Sequence, residues 1–187
     1  MVKTPIKQLS LTEFLQLPET KPTQEYINGE IIPKPMPQGK HSKLQWELLT
    51  YINTIAKVNQ TAHAFPELRC TFGGRSIVPD VTILRWENIP LDENGEIANV
   101  VETAPDWKLE ILSPGQNQIK VTSNILHCLN HGCQLGWLID PDSKCILVFP
   151  NQQQPQVFNL DSGILPSPSF LPELRLTTKK VFDWLNL

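Results

Sequence analysis

The pattern of apolar and polar residues along the chain predicts helices and short strands in mixed order. The longest helical pattern spans 42–58, with Ser42 as its predicted N-cap. A second helix is predicted from Asn117 to His131. Apolar residues recur every three or four positions in the first of these helices, as they do on a buried helix face: Leu44, Leu48, Ile52, Ile55 and Ala56.

Two short helices are predicted near the ends of the chain. Ser10 and Glu13 have the spacing of a capping box, and Pro18 ends the helix that they begin. The last helix begins at Thr177 or Thr178, because threonine is a favourable residue at a helix N-cap.

Short apolar runs between turn residues predict the strands. The pair Asn28-Gly29 between apolar residues is typical of a tight hairpin turn. Further strands are predicted at 61–65, 68–72, 76–84, around Glu110, at 135–139 and at 145–149, followed by loop and edge strand over 150–169. This order predicts an α/β or mixed α+β fold, in which helices flank a mixed sheet. We expect a single domain over 1–187, with its core at about 25–150.

Composition changes this picture little. Of the 187 residues, 40% are apolar and 19% are charged, as in ordinary globular proteins. The sequence has neither an apolar run long enough for a bilayer nor a signal-peptide core, which predicts a cytoplasmic protein without membrane contact. Its four cysteines have no framework-like spacing, which favours reduced thiols over disulfides.

The net charge of −3 argues against broad electrostatic binding of nucleic acid, which normally requires an excess of basic residues. A carboxylate-rich metal site can nevertheless lie beside a locally basic groove. Six residues are candidates for such a groove: Lys34, Lys40, Lys43, Arg69, Arg75 and Lys120.

Two acidic residues lie in predicted apolar strands, Asp80 within 78–84 and Glu110 within 107–114. A carboxylate in such a run is costly unless a cation compensates its charge. Two carboxylates on adjacent strands, with the backbone carbonyl of Ile111, predict an oxygen-lined site that suits Mg²⁺ or Mn²⁺. Phosphodiester hydrolysis requires such a Lewis acid, together with an activated water and charge relief for the leaving oxygen.

Several motifs together resemble those of one known family, the Uma-two family of restriction-endonuclease-like proteins, of which cyanobacterial genomes carry many members. They are Tyr26-Ile-Asn-Gly-Glu30, Pro33-Lys-Pro-Met-Pro with His41, Pro79-Asp80-Val, the segment 105–114 and the segment 136–141. The resemblance covers about residues 10 to 187. The order Pro-Asp and then Glu also resembles the PD-(D/E)XK nuclease superfamily. The resemblance implies a nuclease core of that type, divalent-metal dependence and DNA as the substrate.

The chain departs from the PD-(D/E)XK pattern at its lysine. The third position of Glu-x-Lys is Leu112 here, and the position on the following helix to which the lysine moves in this family is Asn124. Lys120 lies one helical turn before Asn124, so its long side chain is expected to reach the same point. Lys120 is therefore the predicted catalytic cation. Two alternatives are that Lys120 is a solvated residue beside a weakened site, and that Lys108, on the sheet face of Glu110, replaces it.

Glu30 and His41 are further candidates for the site. Glu30 belongs to the Gly-Glu pair of the family pattern, and it either completes the metal sphere, binds a second ion or is an exposed hairpin residue. His41, expected just before the long helix, is either a general base, a phosphate contact or a residue that orders the loop.

His127, His131 and Cys133 form a rival constellation. Histidines four residues apart share one helix face, and zinc accepts histidine and cysteine ligands. However, no glutamate follows His127 as in zinc proteases, and no fourth ligand is evident. Histidines near a helix C-terminus also suit the helix dipole without a metal, so the sequence favours that interpretation.

The sequence therefore supports two hypotheses. The first is a divalent-metal-dependent endonuclease that hydrolyses DNA phosphodiester bonds, with Asp80 and Glu110 on the metal and a homodimer to cut both strands. The alternative is a catalytically weakened nuclease fold that acts as a nucleic-acid-binding or dimerisation module. The missing Glu-x-Lys lysine and the acidic balance favour the alternative. Binding of Mg²⁺ or Mn²⁺ that depends on Asp80 distinguishes the two.

Overall fold

The computed structural model describes residues 9–186, which form ten strands and four α-helices. In chain order these elements are α1 (Leu11–Leu15), β1 (Gln24–Ile27), β2 (Glu30–Pro33), α2 (Gly39–Ala56), β3 (Ala62–Pro66), β4 (Cys70–Phe72), β5 (Arg75–Ile77), β6 (Val81–Arg85), β7 (Trp107–Ile111), α3 (Gln118–Leu129), β8 (Leu135–Asp140), β9 (Cys145–Pro150), β10 (Gln156–Phe158) and α4 (Thr178–Asp183). A 3₁₀ turn at Trp86–Asn88 begins the long connection between β6 and β7.

The strands form two sheets. The larger has the order β10-β9-β8-β7-β6-β3 and the smaller the order β2-β1-β5-β4. Strands β7 and β8 are parallel and joined by α3, whereas their neighbours pair antiparallel. The predicted fold class, a mixed sheet flanked by helices, is therefore confirmed.

Helices cover both faces of the larger sheet. On one face, buried residues of α2 and α4 pack with Trp107 and Trp137 in the largest core cluster. On the other face, Ile125 of α3 packs with buried residues of β8 and β9. Gly136 in β8 allows this close approach, because a Cβ atom there would lie 2.3 Å from Ile125 Cγ2. The sheet is thus fixed from both sides next to the strands that carry the acids.

The start of the long helix differs from the prediction. Helix α2 begins at Gly39, its N-cap is Gln38, and Ser42 lies inside the first turn, where its N–H donates to Gln38 O at 2.8 Å. The predicted N-cap is therefore wrong, and His41 lies within the helix rather than before it. Tertiary contacts explain the earlier start, because His41 is buried against Asp80 instead of lying in a loop.

The predicted strand 76–84 is two strands in different sheets, so this prediction is also wrong. Strand β5 belongs to the smaller sheet and β6 to the larger one, with Val78, Pro79 and Asp80 between them. Pro79 has no N–H for a ladder hydrogen bond, and the N–H of Val78 donates to Glu25 Oε1 at 2.7 Å. Asp80 is therefore held where the two sheets meet.

The remaining elements agree with the sequence analysis. The capping box of Ser10 and Glu13 is present, Asn117 caps α3, and Thr177 caps α4. Strand β10 is the edge strand expected within 150–169. Within residues 9–186, none of the helices is both long and apolar enough to cross a membrane.

Candidate metal centre and active site

Asp80 and Glu110 converge, as predicted. Val81 pairs with Leu109 across β6 and β7, and this register brings the preceding residue, Asp80, beside Glu110. Both acids are buried, with exposed fractions of 2% and 4%. The ammonium group of Lys34 contacts both acids, because its Nζ lies 2.6 Å from Asp80 Oδ1 and 3.9 Å from Glu110 Oε2. The two carboxylates therefore surround one point at which positive charge is held.

The Asp80 carboxylate is held in place from several directions. The backbone N–H of Ile111 donates to Asp80 Oδ2 at 2.7 Å, and His41 Nε2 lies 3.1 Å from the same oxygen. The Gln45 side-chain amide donates to the backbone oxygen of Asp80 at 2.8 Å. Burial alone would raise the pKa of Asp80, but Lys34 and His41 outweigh it and lower the pKa below its ordinary value. Asp80 is thus a preorganised carboxylate.

Glu110 is paired with a second lysine on its own strand. Lys108 and Glu110 share one face of β7, and Lys108 Nζ lies 2.9 Å from Glu110 Oε1. Burial is the largest influence on Glu110 and raises its pKa, although Lys108 and Lys34 both favour the charged form. Burial lowers the pKa of the fully buried Lys108, but Glu110, together with Cys128 and Glu25, more than offsets this effect and raises the pKa. The charged form of Lys108 is therefore stabilised behind Glu110.

Glu25 is a third acid of the site that the sequence analysis missed. It is buried in β1, and its Oε1 accepts the hydrogen bond from Val78 N–H. It also lines the same cavity as Glu110. Nothing in the sequence distinguishes Glu25 from an ordinary hairpin glutamate, because its burial depends on the smaller sheet packing beside the β5–β6 junction.

Glu25 and Glu110 line a cavity of about 240 Å³, whereas Asp80 is not among the lining residues and contacts Lys34, which is. Its walls are the β1–β2 hairpin, the proline-rich link after β2 and the first half of α3. Twelve residues line it: Glu25, Ile27, Ile32, Pro33, Lys34, Pro35, Glu110, Gln116, Asn117, Lys120, Val121 and Asn124. A small polar group that enters between the hairpin and α3 therefore reaches Glu110 and Lys34, and Lys34 in turn contacts Asp80.

The other predicted site residues do not all lie at the cavity. Lys120 is exposed and lies on the cavity wall, in the first turn of α3. Glu30 is exposed at the start of β2 and is not among the cavity-lining residues, so the structure does not bring it to the acids. Ile111 contacts Asp80 through its N–H. Asn124, at the family's lysine position, accepts a hydrogen bond from Arg75 Nη1 at 3.3 Å.

The predicted basic groove does not form as a continuous surface. Lys34 and Lys120 line the cavity, whereas the other four candidates do not line it and contact other side chains. These contacts are Lys40 with Asp142, Lys43 with Glu47, Arg69 with Glu19, and Arg75 with Asn28 and Asn124. Positive charge at the site is therefore concentrated in the cavity.

The donor set fits a hard divalent ion. Carboxylate oxygens are the ligands that Mg²⁺ prefers, and the position of Lys34 Nζ shows that a cation fits between Asp80 and Glu110. Within residues 9–186, however, no three His, Cys, Asp or Glu side chains are already grouped for a metal ion. A divalent ion at this point would share the two acids with Lys34 or replace its ammonium group.

The rival zinc constellation is not formed. His127 stacks on Phe72, with ring centroids 5.0 Å apart, and His131 Nδ1 lies 2.8 Å from the backbone oxygen of His127. Cys133 is buried, and its thiol donates to Leu135 O at 3.1 Å. The two histidines therefore belong to an aromatic cluster, while the thiol belongs to the core.

The histidine cluster predicts a pH effect on stability. Burial lowers the pKa of His127 from its ordinary value near 6.5 to about 4. Between these values the unfolded chain binds more protons than the folded protein, so His127 makes the free energy of unfolding fall as pH decreases from 6.5 to 4. Urea denaturation should show a smaller fall across this window for His127→Gln than for the wild type. Parallel pH curves for the two proteins would contradict this explanation.

A mixed sheet flanked by helices, with two buried acids side by side at β6 and β7 and a lysine against each, resembles the restriction-endonuclease-like class. The comparison with protein families agrees, because the Uma2 family, described as "Putative restriction endonuclease", matches residues 11–179. The chain belongs to this family, which is the Uma-two family named from the motifs.

A solved structure is also similar to this chain. It is the crystal structure of a "putative nuclease belonging to DUF820" from Anabaena variabilis ATCC 29413. The two sequences are 56% identical, the match covers 95% of this chain and 99% of that one, and the TM-score is 0.93. The comparison with curated proteins finds no match.

Proposed function

We propose that this protein is a divalent-metal-dependent endonuclease that hydrolyses DNA phosphodiester bonds through a PD-(D/E)XK-type site. The observation that carries the proposal is the convergence of the Asp80 and Glu110 carboxylates on the Lys34 ammonium group, which lines an open cavity together with Glu110. The family to which the chain belongs supports the same reaction class. The proposal includes the cytoplasm as the compartment and a homodimer as the working form, since a duplex has two strands to cut.

In this proposal Asp80, Glu110 and the carbonyl of Ile111 hold Mg²⁺ or Mn²⁺. When bound, the ion supplies Lewis-acid polarisation of the phosphate. His41 and the Ile111 N–H keep the Asp80 carboxylate in one orientation through Oδ2. This supports a positioning role for His41, because its Nε2 faces Asp80.

The remaining groups act on the water and the DNA strand. In hydrolysis a water oxygen bonds to phosphorus, one ester P–O bond breaks, and the leaving oxygen takes up a proton. Glu25 lines the cavity beside Glu110 and would orient the attacking water. Lys120, exposed on the cavity wall, would contact the phosphate backbone. This proposal assigns no role to Glu30, which is exposed at the start of β2.

One observation favours the alternative, a nuclease fold that serves as a binding or dimerisation module. Most of the predicted groove cations contact other side chains instead of forming a phosphate-binding surface. Phosphate contacts supply most of the affinity of nonspecific DNA binding. A protein of this second kind would keep the fold but would not cleave DNA.

Cleavage of supercoiled plasmid DNA in Mn²⁺ tests the proposal. The wild type should nick or linearise the plasmid, whereas Asp80→Asn and Glu110→Gln should be slower by more than about 100-fold, because each removes a metal ligand. The matched control is Glu173→Gln, which changes an exposed acid outside the cavity and should cleave like the wild type.

Two results would contradict the proposal. Cleavage at the same rate by wild type and Asp80→Asn would assign the activity to another site or to a contaminant. A wild type that fails to cleave any plasmid in Mg²⁺ or Mn²⁺ would favour the module.

A further inference from the structure

We propose that Lys34 is the catalytic cation of this site and replaces the lysine missing from the Glu-x-Lys motif. The inference rests on the proposed nuclease function and names a residue for it. Lys34 would place its ammonium group against the phosphate that occupies the cavity. It comes from the link between β2 and α2, not from the Glu110 strand or from α3.

The contacts of Lys34 join both acids. Its Nζ lies 2.6 Å from Asp80 Oδ1 and 3.9 Å from Glu110 Oε2, and it also donates to the backbone oxygen of Val78. The side chain is 13% exposed, and it lines the cavity. The ammonium group is therefore held by the site and is still open to a ligand on one side.

The backbone holds Lys34 at this position. The residue lies between Pro33 and Pro35, and a residue before proline is restricted to extended conformations. Its N–H donates to Thr23 O at 2.8 Å, one step beyond the last β1–β2 pair. The link therefore extends the hairpin, and the side chain crosses to Asp80 at the junction of the two sheets.

Each of the other lysines near the acids either contacts the acid pair or lines the cavity, but does not do both. Lys108 contacts Glu110 but is fully buried and does not line the cavity. Lys120 lines the cavity but is exposed on its wall. At the family's lysine position, Asn124 accepts a hydrogen bond from Arg75. In the described part of the chain, Lys34 is the lysine that both contacts the acid pair and lines the cavity.

This position gives Lys34 two separate effects. A lysine binds phosphate as a point charge, so removing it should slow cleavage by leaving the developing charge on phosphate uncompensated. The same ammonium group also occupies the point between Asp80 and Glu110 to which a divalent ion would bind. Removing it should therefore strengthen metal binding. A purely structural lysine would weaken both properties together.

Two measurements on Lys34→Met test the assignment, namely Mn²⁺ titration calorimetry of the apo protein and plasmid cleavage at saturating Mn²⁺. We expect Mn²⁺ to bind about tenfold tighter or more and cleavage to fall by about 100-fold. Lys34→Arg, which keeps the charge, should cleave at a rate between those of Lys34→Met and the wild type. The control is Lys40→Met, an exposed lysine paired with Asp142 outside the cavity, which should behave like the wild type in both measurements.

The outcomes separate this inference from the proposed function. If Lys34→Met cleaves like the wild type while Asp80→Asn does not, Lys34 is not the catalytic cation and the nuclease function remains. If Lys34→Met binds Mn²⁺ more weakly and melts at a lower temperature, its role is structural and the assignment is wrong. If the Met variant does not fold, Lys34→Gln replaces it in both measurements, and cleavage by Lys34→Gln at the wild-type rate overturns the assignment. If the wild type does not cleave, the function and this inference both fail.

Discussion

Lys108→Met is expected to lower the free energy of unfolding by about 3–5 kcal/mol, because breaking a buried ion pair leaves the other charge without its partner. Lys108 is fully buried, and its Nζ lies 2.9 Å from Glu110 Oε1. Urea denaturation at pH 8 measures the effect. The exposed pair of Lys179 and Asp183 gives the control, since Lys179→Met should cost less than about 1 kcal/mol.

The double variant Lys108→Met with Glu110→Gln shows whether the loss comes from the pair. It should be more stable than Lys108→Met alone, because the buried carboxylate that has lost Lys108 is replaced by a neutral amide. The difference between the double variant and the two single variants gives the coupling energy. Additive effects of the two substitutions would contradict a direct interaction between these side chains.

Asp80→Ala and Asp80→Asn should differ in their effect on stability but should weaken metal binding to a similar extent. Asp80→Ala removes a buried carboxylate that accepts from Ile111 N–H and pairs with the half-buried Lys34, so we expect it to lower the free energy of unfolding by about 3–5 kcal/mol. Asp80→Asn keeps an acceptor oxygen and should be less destabilised. Both should lower the affinity for Mn²⁺ by more than about 100-fold, because a neutral amide is a poor replacement for a carboxylate ligand.

Calorimetric titration and thermal melting of the two Asp80 variants provide this comparison. The Asn variant is the informative one, since it separates loss of the ligand from loss of the fold. Wild-type affinity for Mn²⁺ in Asp80→Asn would contradict the assignment of Asp80 as a metal ligand. Equal melting temperatures for Asp80→Ala and the wild type would contradict the role of Asp80 as the partner of Lys34 and of the Ile111 N–H.

The pair of acids was predictable from sequence because it depends on local patterns. Asp80 and Glu110 each occur in a short apolar run, where a charged residue is unusual. The mixed order of elements indicated the mixed sheet, and the register of β6 and β7 then brings the two residues side by side. The hairpin at Asn28-Gly29 was predictable for the same reason, since its turn chemistry is local.

The rest of the site depends on contacts between distant segments. Lys34 and Glu25 come from the β1–β2 region, yet they meet Asp80, Val78 and Glu110 across two sheets. No local periodicity marks such residues. The exposure of Glu30 on its hairpin was likewise not predictable from the family motif to which it belongs.

His41 shows the limit of capping rules. Ser42 is a favourable N-cap residue by type, but the contact of His41 with Asp80 includes both residues in the first turn of α2. The family resemblance supplied His41 as a candidate, and the structure supplies the reason, because its Nε2 lies 3.1 Å from Asp80 Oδ2.

Anomalous diffraction from a crystal of this protein soaked in Mn²⁺ tests the central claim most directly. The account predicts a peak within about 2.0–2.6 Å of one carboxylate oxygen of Asp80 and one of Glu110. The Lys34 ammonium group should then have moved from its position between the two acids. A crystal in which Lys34 remains between them, with Mn²⁺ bound only elsewhere, would contradict the account.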